Sequence, residues 1–169
     1  MHQYCLRRTL WLPHPREEVF AFFAAAENLQ NITPPWMRFR ILTPSPIVMQ
    51  AGTTILYVLR VHGIPMRWLT EIESWDPPNQ FVDVQAKGPY QLWRHRHEFS
   101  EVDGGTLIFD TVDYVLPLGP LGRVAHHLMV ARDLEAIFDY RAREVQRLLS
   151  MPDQNHFHVN QHDAERFDP

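Results

Sequence analysis

The sequence predicts an α+β fold in which a curved antiparallel sheet wraps a long C-terminal helix. Three observations carry this. Between about residues 36 and 116 apolar side chains recur at every second position. From about 120 to 149 they recur at helical spacing, and one strand with two short helices precedes both stretches. A period of two marks strands and a period near 3.6 marks a helix. The expected order is therefore β-α-α-β6-α.

Residues 3–12 read as the first strand, with Leu6, Leu10 and Leu12 at even spacing. Pro15 opens a helix, and Glu17 and Glu18 in its first turn complement the positive N-terminal end. Val19, Phe20, Phe22 and Phe23 make one side of that helix strongly apolar, most economically as core. A second short helix passes through Asn28 and Leu29. It stops before Thr33-Pro34-Pro35, because the residue ahead of a proline is pushed out of the helical region.

Strands are expected at 36–43, 54–62, 65–75, 80–87, 91–102 and 105–116. Tyr57, Leu59 and Val61 alternate with Leu56, Val58, Arg60 and His62. Met66, Trp68, Thr70 and Ile72 alternate with Arg67, Leu69, Glu71 and Glu73. Such alternation, with one drier face, belongs to an antiparallel sheet covered on one side. In the last segment Leu121, Val124, Leu128, Ala131, Phe138, Val145 and Leu149 form one stripe, with Arg132, Glu135, Arg143 and Arg147 off it.

Composition narrows the function classes. A chain of 169 residues buries about 70% of its unfolded surface and can hold a core without staples. Residues 1–150 read as the folded domain and 151–169 as a polar, acidic tail. The tail holds Asp153, Asp163, Glu165 and Asp168 against one arginine, so it carries −3 of the net −4. The rest is near neutral, with no basic stripe for a nucleic acid. No apolar run approaches the roughly 20 residues of a membrane span, and the opening residues hold no signal-peptide core. A cytoplasmic location is expected. The single cysteine, Cys5, excludes an internal disulfide and reads as a small buried apolar side chain. Phe157 and Phe167 are the tail's large apolar anchors and could dock on a second copy, allowing a homodimer.

Several stretches stand out: Ile32-Thr33-Pro34-Pro35, Trp75-Asp76-Pro77-Pro78, Gly88-Pro89-Tyr90, Trp93-Arg94-His95-Arg96-His97-Glu98-Phe99 and Leu116-Pro117-Leu118-Gly119-Pro120. They resemble the START-like, or SRPBCC, superfamily, the helix-grip fold of the major birch-pollen allergen and polyketide cyclases. The likeness is strongest to small bacterial ligand-binding members, and covers about residues 3–149. It implies a cavity between sheet and helix, and hence a soluble carrier or sensor of a small apolar or amphipathic molecule.

Register decides which polar groups enter that cavity. Asp103-Gly104 favours a two-residue type I′ hairpin pairing Val102 with Gly105. Counting back sets Phe99 opposite Ile108, His97 opposite Asp110, His95 opposite Val112 and Trp93 opposite Tyr114. Opposed residues share a face, so Arg94, Arg96 and Glu98 point the other way. Pairing Lys87 with Gln91 sets Asp83 opposite His95 and Gln85 opposite Trp93. Two pairs, His95 with Asp83 and His97 with Asp110, would then anchor a polar or anionic ligand end. Tyr57, Trp68, Trp93 and Tyr114 would enclose its apolar part.

Competing readings of the same residues stay open. The pairs could be a buried polar network that only satisfies itself. His97 and Asp110 could serve as general acid and base in a cyclase or dehydratase, although the sequence offers no distinct nucleophile or oxyanion site. His95 and His97, joined by Asp83 or Asp110, could begin a metal set; with no third histidine placed, no metal and no cofactor is expected. His126 and His127, adjacent on a helix, lie about 100° apart and make no joint site. His156, His158 and His162 read as part of a solvated tail.

Overall fold

The structure is a computed structural model and describes residues 2–150. Seven strands form one antiparallel sheet: β1 (Tyr4–Leu12), β2 (Arg40–Ile41), β3 (Thr54–Val61), β4 (Ile64–Asp76), β5 (Gln80–Lys87), β6 (Leu92–Val102) and β7 (Gly105–Val115). Their order across the sheet is β1-β7-β6-β5-β4-β3-β2. Helices α1 (Arg16–Ala24) and α2 (Asn28–Asn31) follow β1. Helix α3 (Pro120–Ala125), a π-turn at His126–Val130 and helix α4 (Ala131–Leu149) complete the order. The acidic-tail assignment for 151–169 lies outside the described residues.

The hairpin arithmetic holds where turn chemistry is strong. Asp103 and Gly104 both have positive φ, as a type I′ turn requires, and Val102 pairs with Gly105. From there His97 pairs with Asp110, His95 with Val112 and Trp93 with Tyr114. The β5–β6 ladder sets Asp83 opposite His95 but runs only from Gln80↔Glu98 to Val84↔Arg94. Lys87 pairs with Leu69 instead, across a register shift in β4. Gln85 thus does not reach Trp93 through the ladder. Its amide donates to the Tyr90 carbonyl at 2.7 Å and accepts from the Tyr90 N–H at 3.1 Å, closing the hairpin through a side chain. A Cβ at Gly88 would meet that side chain at 2.4 Å, so glycine is what fits there.

Three expectations are corrected. The strand expected at 36–43 shrinks to Arg40–Ile41, because Pro35–Met37 form a 3-10 turn capped by Arg38 in the left-handed region. Proline pre-sets the φ of such a turn at its first position. The continuous C-terminal stripe also breaks. The π-turn inserts extra backbone per turn, so α3 and α4 do not share one phase. Leu134, Phe138 and Val145 of α4 are buried, whereas Leu121 and Leu128 are 71% and 67% exposed. Cys5 is exposed, on the outward side of β1, rather than buried.

The core beneath one end of the sheet gathers Leu12, Val19, Phe20, Ile32, Phe81, Phe99, Ile108 and Val145. Burial of each such large side chain contributes about 1.5–3 kcal/mol. Phe20 meets Trp75, Phe81 and Phe99 at ring distances of 5.2–6.0 Å, which seats α1 on the sheet. The other end of the concave face is not filled in this way. Among the described residues no helix is long and apolar enough to cross a membrane.

Candidate functional site

A cavity of about 510 Å³ lies between the concave face, α2 and α4. That is within the range of small-molecule sites, roughly 300–1,000 Å³. Most of its wall is apolar. β3 and β4 supply Tyr57, Leu59, Met66 and Trp68, because alternate residues of both strands point inward and Tyr57 pairs directly with Trp68. Trp93, Tyr90, Phe39 and Met37 extend that wall. Phe22 and Phe23 also line it, so only Phe20 of that trio is plain core.

The polar pole is a four-residue cluster on β5, β6 and β7. His95 and His97 are 4% and 5% exposed, and Asp110 is buried behind them. Each imidazole touches both carboxylates. His95 Nε2 shares a hydrogen bond with Asp110 Oδ1 at 3.0 Å, and His97 Nε2 shares one with Asp83 Oδ2 at 3.2 Å. His97 Nδ1 lies 2.7 Å from Asp110 Oδ1 without hydrogen-bond alignment, and His95 Nδ1 lies 3.7 Å from Asp83 Oδ2. The two pairs drawn from the register are therefore one crossed network. Directly opposed backbones bring the groups together, but the side chains lean to the diagonal neighbour.

Electrostatics divide the two imidazoles. Burial pushes His97 down, but the charge and hydrogen bonding of Asp110 and Asp83 outweigh it and hold its pKa above the ordinary value. Burial and the neighbouring His97 lower that of His95, despite Asp110. Burial opposes ionisation of both carboxylates as well. The paired histidines nevertheless keep Asp83 and Asp110 below the usual range, with Arg141 assisting at Asp83. The cluster thus favours ionised carboxylates, and of the two imidazoles His97 is the one whose surroundings favour the protonated form, with Arg141 nearby.

Of the expected site residues, Tyr57, Trp68, Asp83, Trp93, His95 and His97 line the cavity. Gln85, Asp110 and Tyr114 are not on its wall. Gln85 is spent on Tyr90, Asp110 backs the imidazoles, and the Tyr114 hydroxyl meets His126 Nε2 at 2.9 Å. Burial pushes the Tyr114 phenol up to about 12. His126 stacks on Tyr4 and His127 is exposed, and contrary to expectation the two rings meet edge to face at 5.1 Å between centres.

Arg141 escaped the sequence reading. It lines the cavity, with its guanidinium 5.0 Å from the Phe138 ring centre and a buried Nε that has no hydrogen-bond partner. The signal was present: a stripe through Leu134, Phe138 and Val145 needs an inward residue near 141, and the sequence puts an arginine there. Trp68 Nε1 is a second buried donor on the wall with no partner among the described residues. His62, in the β3–β4 turn, reaches Asp133 of α4 at 2.7 Å, and both side chains border the cavity.

A family model described as polyketide cyclase/dehydrase and lipid transport matches residues 12–138. Among solved structures, the Zhui aromatase/cyclase from a Streptomyces species is 18% identical with a TM-score of 0.66, covering 88% of this chain and 96% of that one. Ara h 8.0201 is 13% identical with a TM-score of 0.64, covering 88% and 98%. A nucleoside-diphosphate sugar epimerase from Corynebacterium glutamicum is 26% identical with a TM-score of 0.63. There 85% of this chain matches 29% of the other. No curated protein matches the sequence.

Proposed function

Because the chain belongs to the polyketide cyclase/dehydrase and lipid transport family, we propose that it is a binding protein, a carrier or sensor, for a small amphipathic molecule. The observation that carries this reading is the division of the cavity. An aromatic and aliphatic wall faces one concentrated polar pole of Asp83, His95, His97 and Arg141. A few placed polar groups in a mostly apolar cavity orient a ligand while burial supplies the affinity. The unpartnered Trp68 Nε1 and Arg141 Nε are donors, so the ligand they suit carries acceptor oxygens beside an apolar body.

The test is purification from the native host, native mass spectrometry, and chemical identification of whatever is released on denaturation. A stoichiometric, chemically unaltered amphipathic molecule supports the reading. A protein that carries nothing and takes up no apolar fluorescent probe overturns it. One observation favours a catalytic second reading: His97 borders the cavity, and the neighbouring carboxylates favour the protonated form that a general acid needs. Recovery of a dehydrated or cyclised product after incubation with the extracted molecule would select that reading.

A further inference from the structure

We propose that Asp83, His95 and His97 form a binding site for a divalent transition-metal ion, open on one side to the cavity. Three side chains of suitable type converge, and one ligand atom from each lies within 4.8 Å of the others. The nitrogens nearest Asp83 Oδ2 are His97 Nε2 at 3.2 Å and His95 Nδ1 at 3.7 Å. With metal–ligand bonds of about 2.0–2.2 Å, ligand atoms around one ion stand about 3.0–3.5 Å apart. The two Asp83 edges lie within a few tenths of an ångström of that spacing, and the imidazole–imidazole edge, held within 4.8 Å, closes to it by side-chain movement.

The fourth member completes the arrangement from behind. Asp110 Oδ1 lies 3.0 Å from His95 Nε2 and 2.7 Å from His97 Nδ1, the two nitrogens left over when the others face Asp83. A carboxylate that receives the far N–H of a ligating histidine fixes its tautomer and orientation. Asp110 is so placed for His95 and lies 2.7 Å from His97 Nδ1 without an aligned hydrogen bond. Two carboxylates and two neutral imidazoles offset a divalent cation, which leaves the Arg141 cation at the same pole for an anionic ligand. Asp83, His95 and His97 border the cavity whereas Asp110 does not, which leaves the remaining coordination positions facing the cavity. Two imidazoles and one carboxylate suit zinc or iron(II) rather than magnesium or calcium, which take oxygen sets.

The inference stands without any organic ligand and can be tested alone. The full chain, stripped with chelator, is titrated with Zn²⁺ by calorimetry and followed by imidazole NMR. Parallel samples carry Asp83→Asn, or joint replacement of His156, His158 and His162 by alanine to remove the tail's own ligands. The expected result is one ion per chain, with the His95 and His97 resonances shifted. Affinity should fall at least tenfold in Asp83→Asn and be retained in the tail variant. An absence of stoichiometric binding, or shifts confined to the tail histidines, would overturn the proposal. The wild-type resonances decide this even if Asp83→Asn fails to fold. Failure here leaves the binding-protein reading intact, since uptake of an apolar probe is measured separately in chelator.

Discussion

The two sides of the cavity are built by different means. The polar pole on β5, β6 and β7 is set by strand register, so its groups meet because hairpin turns place them there. The cavity edge at α3, here termed its mouth, depends on helix phase: Leu118, Leu121 and Met129 border the cavity there and are exposed. The difference teaches that the pole is held by buried, mutually dependent charges, whereas the mouth can change with little cost to the fold. It follows that substitutions at the pole should act on stability and those at the mouth on ligand entry.

The largest expected effect is at the pole. Asp110→Leu removes the carboxylate behind both imidazoles and leaves buried partners uncompensated, so chemical denaturation should show a loss of about 3–5 kcal/mol. A loss below 1 kcal/mol would mean the cluster is solvated and the contrast between the two regions false.

Asp110→Asn sharpens the same point through pH. In chelator, His97 should titrate at lower pH in the variant, because the charge that favours its protonated form is gone. The sign for stability follows. His97 has a raised pKa in the folded state, so its contribution is complete below the unfolded value of about 6.5 and fades as pH rises through the folded one. Asp110 is lowered, so its contribution is present above the unfolded carboxylate range and is lost on acidification. Wild type should therefore exceed the variant most in mildly acidic solution, with the gap narrowing toward alkaline pH. An unchanged His97 titration would show that Asp110 does not govern it.

Arg141→Met keeps the apolar stem and removes the cavity cation. Affinity for an amphipathic carboxylate probe should fall about 10- to 100-fold, the worth of a hydrogen bond to a charged group. Equal affinity would move the ligand's polar end elsewhere. The smallest effect is expected at the mouth: Leu121→Ser should change stability by no more than about 0.5 kcal/mol while altering the rate of probe uptake. A large loss of stability there would show that α3 packs as core.

The legibility of the site follows the same division. Asp103-Gly104 dictates a turn type, the turn dictates the pairing, and the pairing carries His97 to Asp110 five residue pairs beyond Val102↔Gly105. No comparable rule says how side chains lean, so the crossed contacts of His95 and His97 appear only in three dimensions. Gly88-Pro89 specifies no single hairpin, and Gln85 closed it in a way the ladder arithmetic does not contain. Helical periodicity likewise assumes 3.6 residues per turn throughout. The π-turn at His126–Val130 violates that assumption, turning Leu121 and Leu128 outward. Arg141 was hidden for a further reason: a charged residue inside an apolar stripe is discounted by a pattern that counts only apolar ones.

The claim that the cavity receives a ligand is tested most directly by the indole N–H resonances of the five tryptophans during titration with an amphipathic carboxylate. Trp68 Nε1 is buried on the cavity wall without a partner, while Trp11 Nε1 donates to the Val102 carbonyl at 2.9 Å on the outer side. The account predicts a saturable shift at Trp68, with a smaller one at Trp93 and none at Trp11. Shifts at Trp11 with Trp68 unmoved would contradict it.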